Sequence, residues 1–81
     1  GLSAYDRARV RHAIDANLAH GPTRESRSRI KKLRDMRKPQ YRMRVGDLRV
    51  FYDVENDRVS IIGVVAKSNA EQWLREEGEP T

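Results

Sequence analysis

The sequence predicts one α+β domain over residues 1–81, in which an antiparallel β-meander packs with an N-terminal helix and a short C-terminal helix. The length of 81 residues leaves room for one small domain only. Apolar residues recur at helical spacing near the start of the chain, and from residue 41 onward they alternate with polar ones, as in strands. A second, shorter helical pattern ends at Gly78-Glu79-Pro80.

The first helix is predicted from Ala4 to Ala19. Ser3 is its expected N-cap, and Asp6 lies three residues later, close to the pattern of a capping box. The sequence His20-Gly21-Pro22 ends the helix. The apolar side chains that recur at four-residue spacing along it are Val10, Ile14 and Leu18.

A basic segment follows at residues 23–40. Its apolar residues Ile30, Leu33 and Met36 have helical spacing, so a short basic helix and an extended arm both fit, and Pro39 ends either one. Residues 24–49 contain eleven Lys/Arg and three Asp/Glu, a net charge of +8, whereas the whole chain has +5. Concentrated positive charge on a small domain is typical of polyanion binders, although most charge runs are solvated surface.

Residues 41–54 form a predicted hairpin with Gly46-Asp47 as its two-residue turn. This turn sets the register, so that Arg44 lies opposite Arg49 and Arg42 opposite Phe51. These four side chains share one face of the hairpin. The other face, which is expected to meet the core, holds Tyr41, Met43, Val45, Leu48, Val50 and Tyr52.

The last long strand is predicted at residues 58–66, after a turn at Asn56-Asp57. The β-branched run from Val59 to Ala66 indicates a strand that is buried on both faces. The register continues with the pairs Asp53–Ser60, Phe51–Ile62 and Arg49–Val64. A helix at residues 69–77 follows, capped by Ser68 or Asn69, and its Trp73 is interpreted as a core anchor.

The face with three arginines is the candidate functional site. Like charges directly opposite each other destabilise a sheet, and the fold gains nothing from Arg44 opposite Arg49. A bound phosphate would supply negative charge, because the guanidinium fork matches phosphate oxygens, and Phe51 is placed to stack a base. Alternatively, the arginines only discourage strand pairing at an edge. Lys67, just after the last long strand, is expected near the rim of this face.

Other classes of site are excluded or have no support. The chain has no cysteine, which excludes disulfides, thiolate metal sites and a cysteine nucleophile. His12 and His20 lack metal-ligand partners at useful spacing, so no metal and no cofactor are expected. Ser26 and Ser28 have no evident base. No apolar run is long enough for a membrane span, so a reducing cytoplasm and no membrane partner are expected.

Most of the chain resembles the RelE/ParE toxin superfamily. Residues 41–54, Tyr-Arg-Met-Arg-Val-Gly-Asp-Leu-Arg-Val-Phe-Tyr-Asp-Val, with Lys32-Leu33-Arg34 before them, look like that family's signature hairpin. Val59–Val65 with Ala66-Lys67 is similar to its closing strand, and residues 2–8 resemble the start of its second helix. Family members usually begin with a strand and a short helix that this sequence lacks, and a missing strand is expected to expose a sheet edge.

The resemblance implies the toxin of a bacterial type II toxin–antitoxin pair. The favoured activity is that of the RelE-like branch, ribosome-dependent cleavage of mRNA; the alternatives are a ParE-type gyrase poison and a non-catalytic nucleic-acid-binding module. The implied partners are mRNA and the ribosome, or DNA gyrase, and a cognate antitoxin with an acidic, partly disordered segment. That segment is expected to dock on the last helix and the apolar floor around Phe51.

By position, the resemblance implies catalytic roles for Arg42, Arg44, Arg49 and Lys67. The family's C-terminal arginine and tyrosine positions are occupied by Ala70 and by Trp73 or Leu74, so no general acid is evident. The general base stays open between Lys67, Asp53 and a ribosomal group. The other expected nucleic-acid contacts are Arg29, Lys31, Lys32, Arg34, Arg37, Lys38 and Phe51.

Overall fold

The computed structural model describes residues 3–18, 30–56 and 58–81. It confirms the α+β architecture, with an N-terminal helix, an antiparallel strand meander and a C-terminal helix. The elements in chain order are α1 (Ala4–Leu18), β1 (Ile30–Lys32), β2 (Met36–Lys38), β3 (Tyr41–Val45), β4 (Leu48–Glu55), β5 (Arg58–Ala66), a 3₁₀ turn (Lys67–Asn69), α2 (Ala70–Glu77) and β6 (Glu79–Pro80).

Helix α1 begins as the sequence predicts. The Ser3 hydroxyl oxygen accepts a hydrogen bond of 3.0 Å from the backbone N–H of Asp6, which satisfies one of the donors that the first helical turn leaves unpaired. The described part of the helix ends at Leu18, and Ala19 lies outside the described residues. Val10 is buried in the core, and Ala13 and Ile14 pack beside it, so α1 covers one face of the sheet.

The basic segment does not form the helix that its apolar spacing allowed. Residues 30–38 are two short strands in two different sheets, and residues 23–29 lie outside the described part of the chain. Ile30 is buried opposite Met43, which makes β1 the neighbour of β3. Helical spacing was a wrong guide here, because Ile30 and Met36 lie on strands of two different sheets. The extended alternative describes the backbone, but β1 and β2 are paired strands and not a free arm.

The main sheet has the strand order β1-β3-β4-β5, and all its neighbours are antiparallel. The predicted hairpin register is confirmed in full, from Tyr41 opposite Tyr52 to Val45 opposite Leu48. Gly46 in the turn has a φ of 57°, a backbone conformation that glycine adopts without strain. The predicted core face is also confirmed. Its six buried side chains are Tyr41, Met43, Val45, Leu48, Val50 and Tyr52.

The predicted register between β4 and β5 is correct only near the turn. Asp53 lies opposite Ser60, but the register then shifts by one residue between Tyr52 and Phe51. Phe51 therefore pairs with Gly63 and not with Ile62, and Arg49 pairs with Val65 and not with Val64. Such an irregularity is a β-bulge, which inserts one extra residue on one strand.

Packing of α2 explains why glycine stands at the shifted position. The Trp73 ring stacks on Phe51, with centroids 4.6 Å apart and planes 7° apart. The indole also lies against Gly63, where a Cβ atom would overlap it. The bulge thus places the smallest residue of β5 beneath the indole. Trp73 is the anchor that the sequence predicted, and it packs on the face opposite α1.

Two further predictions are wrong in detail. β5 is an edge strand whose residues are half-buried or exposed, so it is not buried on both faces; Ile61 is 43% exposed. Asn69 precedes α2, but its side chain makes no capping hydrogen bond, since a 3₁₀ turn from Lys67 leads into the helix instead. α2 ends at Glu77, as predicted, and the Gly78 N–H donates to the Leu74 carbonyl.

A second, two-stranded sheet was not predicted. β2 pairs with β6 at the end of the chain, with Met36 opposite Pro80 and Lys38 opposite Glu79. The Thr81 N–H donates to the Asp35 carbonyl at 3.0 Å, which holds the C-terminal residues beside the β1–β2 turn. The residues of β2 therefore belong to the small sheet and not to the main sheet.

Candidate nucleic-acid interface

The predicted cluster of arginines lies on the sheet face opposite the core. Arg42 and Arg44 are two residues apart on β3, and Arg49 on β4 lies directly opposite Arg44. Directly opposite residues in an antiparallel pair have Cβ atoms about 5 Å apart on the same face. Lys31 of β1 lies opposite Arg42 and so adds a fourth cation to this face. The structure therefore brings together Arg42, Arg44 and Arg49, as the sequence predicted.

Arg49 is the one charged side chain that is buried among the described residues, at 7% exposure. Its Nη1 donates to the carbonyl of Gly46 at 3.0 Å and to that of Leu48 at 2.8 Å. Burial lowers the pKa of the guanidinium, and the charges of Arg42 and Arg44 lower it further, whereas Asp47 raises it. Arginine nevertheless stays protonated in proteins. A cation held in this position would be stabilised by an anion at its remaining donors.

An open cleft of about 570 Å³ lies beside Arg49. Lys67 reaches it because its backbone N–H donates to the Asp47 carbonyl at 2.8 Å, which ties the start of the 3₁₀ turn to the β3–β4 turn. We call this the cationic cleft. Its lining residues are Ala13, Arg44, Val45, Gly46, Asp47, Arg49 and Lys67. Three of the four predicted catalytic cations thus line one cleft, and Arg42 lies next to it along β3.

Phe51 is not available to stack a base. The side chain is 0% exposed, and its ring is covered by Trp73. The sequence placed Phe51 correctly on the arginine face, but it could not indicate that α2 would cover that part of the face. For the same reason the floor around Phe51 is not an open docking surface for a partner.

The basic segment divides among different surfaces. Lys31 joins the arginine face, whereas Lys32 lies opposite Tyr41 and therefore on the core side of β1. Arg29 lies outside the described residues. Arg34, Arg37 and Lys38 belong to the β1–β2 turn and to β2, and Arg37 pairs with Glu79 at 3.9 Å. These three are therefore grouped with the small sheet and not with the cationic cleft.

Asp47 and Asp53, the two carboxylates of the hairpin, have different roles. Asp53 accepts a hydrogen bond of 2.7 Å from the backbone N–H of Gln40, and the Gln40 side-chain oxygen accepts one of 3.0 Å from the N–H of Val54. Asp53 thus fixes the entry to β3 and does not line the cationic cleft. Asp47 lines the cleft, with a side chain that is 84% exposed.

Arg9 is a neighbour of the site that the sequence analysis did not single out. Its Nη1 lies 3.2 Å from the Asp6 carboxylate and 3.7 Å from that of Asp47, and its guanidinium lies against Gly46. The side chain therefore links α1 to the β3–β4 turn. No local pattern could have indicated this contact, because Arg9 and Asp47 are 38 positions apart in the sequence.

The described ranges contain neither a cluster of metal ligands nor a helix that could span a membrane. No group of three or more His, Asp or Glu side chains that could hold a metal ion occurs in residues 3–18, 30–56 and 58–81. Within the same part of the chain, no helix has the length and apolar character to cross a membrane. Comparisons with known protein families, with curated proteins and with solved structures found no match.

Proposed function

We propose that this protein is the toxin of a type II toxin–antitoxin pair and that it cleaves mRNA in the ribosomal A site. The observation that supports this most directly is the cationic cleft. Arg44, Arg49 and Lys67 meet there, and no carboxylate of the described residues forms an ion pair with any of the three. The Asp47 carboxylate lines the cleft beside these three cations, so the cleft keeps a net positive charge, which favours an anionic ligand.

In this proposal the cleft binds the phosphate at the cleavage site. The ribose 2′-oxygen loses its proton and attacks the adjacent phosphorus, so that an O2′–P bond forms and the P–O5′ bond breaks. The products are a 2′,3′-cyclic phosphate and a 5′-hydroxyl that takes up a proton. Arg44 and Arg49 stabilise the negative charge on the phosphorane, and loss of one such contact costs about 3 kcal/mol of barrier.

In this proposal the general base is Lys67 or a ribosomal group, and not Asp53. The Asp53 carboxylate accepts a hydrogen bond from the backbone N–H of Gln40 and does not line the cleft. Lys67 lines the cleft, on the side of the β3–β4 turn. Arg42 lies beside the cleft, two residues before Arg44 on β3, and adds positive charge there.

The proposed protein partner is an antitoxin with an acidic segment. The positive charge of the cationic cleft and of the neighbouring Arg42 would attract such a segment, as it would attract the phosphates of RNA. Docking through Phe51 is excluded by the burial of that ring. An antitoxin that neutralises the toxin would therefore cover Arg42 and Arg44, which remain accessible, and so block the phosphate site.

The test is cleavage of a translated mRNA on purified ribosomes by the full chain and by two charge variants. Arg44→Gln removes an exposed cation of the cleft, and we expect its cleavage rate to fall about 100-fold or more. Arg58→Gln is the matched control, because Arg58 is also exposed but lies at the other end of the sheet, by the β4–β5 turn. It should cleave like the unmodified protein.

Two results would contradict the proposal. One is equal cleavage by Arg44→Gln and Arg58→Gln, which would separate the activity from the cleft. The other is intact mRNA in cells that express the chain, together with DNA breaks, which would instead support the gyrase-poison alternative.

A further inference from the structure

We infer that Lys31 and Arg42 form a second phosphate subsite, which holds the phosphate next to the one in the cationic cleft. A single-stranded RNA would then lie along β3, with consecutive phosphates at Lys31–Arg42 and at Arg44–Arg49. This inference rests on the proposed function, since it assumes that the cationic cleft binds an RNA phosphate. It adds the length of the ligand and its path along β3.

The sheet register places the two cation pairs in line. Lys31 of β1 lies opposite Arg42, and Arg49 of β4 lies opposite Arg44. Arg42 and Arg44 are two residues apart on β3, so both pairs project from the same face. Two residues of a strand span about 7 Å. The sugar–phosphate backbone of an extended single strand covers a similar distance between neighbouring phosphates.

The strands on either side of β3 explain why Lys31 is the partner of Arg42 in the second subsite. On the β4 side, the residue opposite Arg42 is Phe51, which is apolar, buried and covered by Trp73. The β1 side therefore supplies the cation that lies directly opposite Arg42, which is the exposed Lys31. At Arg44 the β4 side supplies Arg49, and Lys67 adds to it. α2 thus forms one wall of the path along β3.

Both members of the second pair are accessible for binding. Lys31 is exposed and Arg42 is half-buried, and no carboxylate in the described ranges forms an ion pair with either. A pair of cations converging on one anion suits a phosphate group, which presents two charged oxygens to the guanidinium fork. An extended acidic peptide presents a similar charge spacing through every second side chain, and the experiment therefore compares it directly with the oligonucleotide.

The experiment measures binding of the full chain to short, fluorescently labelled 2′-O-methyl oligouridylates, which cannot be cleaved by the proposed reaction. Ligands with one, two and three phosphates are compared at several salt concentrations. We expect roughly a tenfold gain in affinity from the first to the second phosphate and little from the third. Lys31→Gln should abolish this gain and reduce the salt slope by about 0.7.

Lys32→Gln is the matched control. It removes the same charge from the neighbouring residue of the same strand, but on the core side of the sheet. It should retain the gain from the second phosphate. Thermal unfolding of both variants checks that the fold is intact, and Arg42→Gln provides a second removal of the subsite from a different strand.

Three outcomes would overturn the inference. Lys31→Gln would bind like Lys32→Gln, or affinity would not rise with the second phosphate, or an acidic peptide of equal charge would bind more tightly than the oligonucleotide in a Lys31-dependent manner. If any of these is found while Arg44→Gln still loses mRNA cleavage, the subsite is wrong and the proposed function stands. If the Lys31-dependent gain is found but ribosomes show no mRNA cleavage, the subsite stands and the nuclease proposal fails.

Discussion

The two faces of the four-stranded sheet are made by the same alternation of residues, yet they differ in what covers them. The face toward α1 is apolar and buried, and its central residues Met43 and Val50 are 0% exposed. The opposite face is divided. α2 covers Phe51 through Trp73, whereas Lys31, Arg42 and Arg44 remain accessible along β1 and β3.

On the second face, one half is buried by apolar packing and the other half carries the positive charge. Phe51 and Arg49 are both buried on this face. Phe51 is buried by apolar contact with an aromatic ring, while Arg49 is buried with its Nη1 donating to two carbonyls of the turn. A covered apolar half stabilises the domain, and an uncovered cationic half is available to a ligand. Three substitutions test this difference, one on each surface.

The largest effect is expected from Gly63→Val, which changes the covered half of the second face. The new side chain would overlap the Trp73 indole and displace it from Phe51. Overpacking together with loss of the ring stack should lower the free energy of unfolding by about 3 kcal/mol. Trp73 is the single tryptophan of the chain, so its fluorescence reports the displacement directly in denaturant titrations.

Ser60→Val, on the same strand but away from the indole, is the control for Gly63→Val and should change stability by less than about 1 kcal/mol. Equal stability of Gly63→Val and the unmodified protein, with unchanged fluorescence, would mean that α2 does not pack on this face.

A smaller, pH-dependent effect is expected on the core face. Burial raises the pKa of Tyr52 to about 12 from its ordinary value of 10.0, and the nearby Tyr41 adds to the shift. Above pH 10 the unfolded chain therefore releases this proton more readily than the folded protein does. The free energy of unfolding should be independent of this group below about pH 10 and fall by roughly 2 kcal/mol between pH 10 and 12.

Chemical denaturation at pH 9 to 12 measures this decline. Tyr52→Phe should show a decline that is smaller than that of the unmodified protein by the stated amount. Tyr5→Phe, at a position that is 72% exposed, should keep the full decline. Identical pH profiles for Tyr52→Phe and Tyr5→Phe would contradict the burial of the Tyr52 phenol.

The smallest effect, and one of opposite sign, is expected in the open half of the second face. Arg44→Gln removes a like charge directly opposite Arg49, so the domain should become more stable by about 0.5 kcal/mol at low salt. The gain should shrink as ionic strength rises, because salt screens the repulsion. Stability from urea titrations at two salt concentrations tests this, and a loss of stability at both would show that Arg44 is a structural residue.

Local patterns were sufficient for the parts of the fold that depend on neighbouring residues. The Gly46-Asp47 turn and the two-residue period determined the full β3–β4 register and both faces of the hairpin. The Ser3 cap likewise depends on one hydrogen bond over three residues. From these features the sequence alone placed Arg42, Arg44 and Arg49 together, because side chains opposite each other in a hairpin must share a face.

Only the tertiary structure decided which parts of those faces are covered. The pairing of β1 with β3 brought Lys31 beside Arg42, and the tie between Lys67 and the β3–β4 turn completed the cationic cleft. Trp73 covers Phe51, and the bulge in β5 places Gly63 beneath the same indole. These contacts join residues that are far apart in the chain. Whether they form depends on how side-chain volumes fit together in the folded protein, and no local periodicity of the sequence encodes that fit.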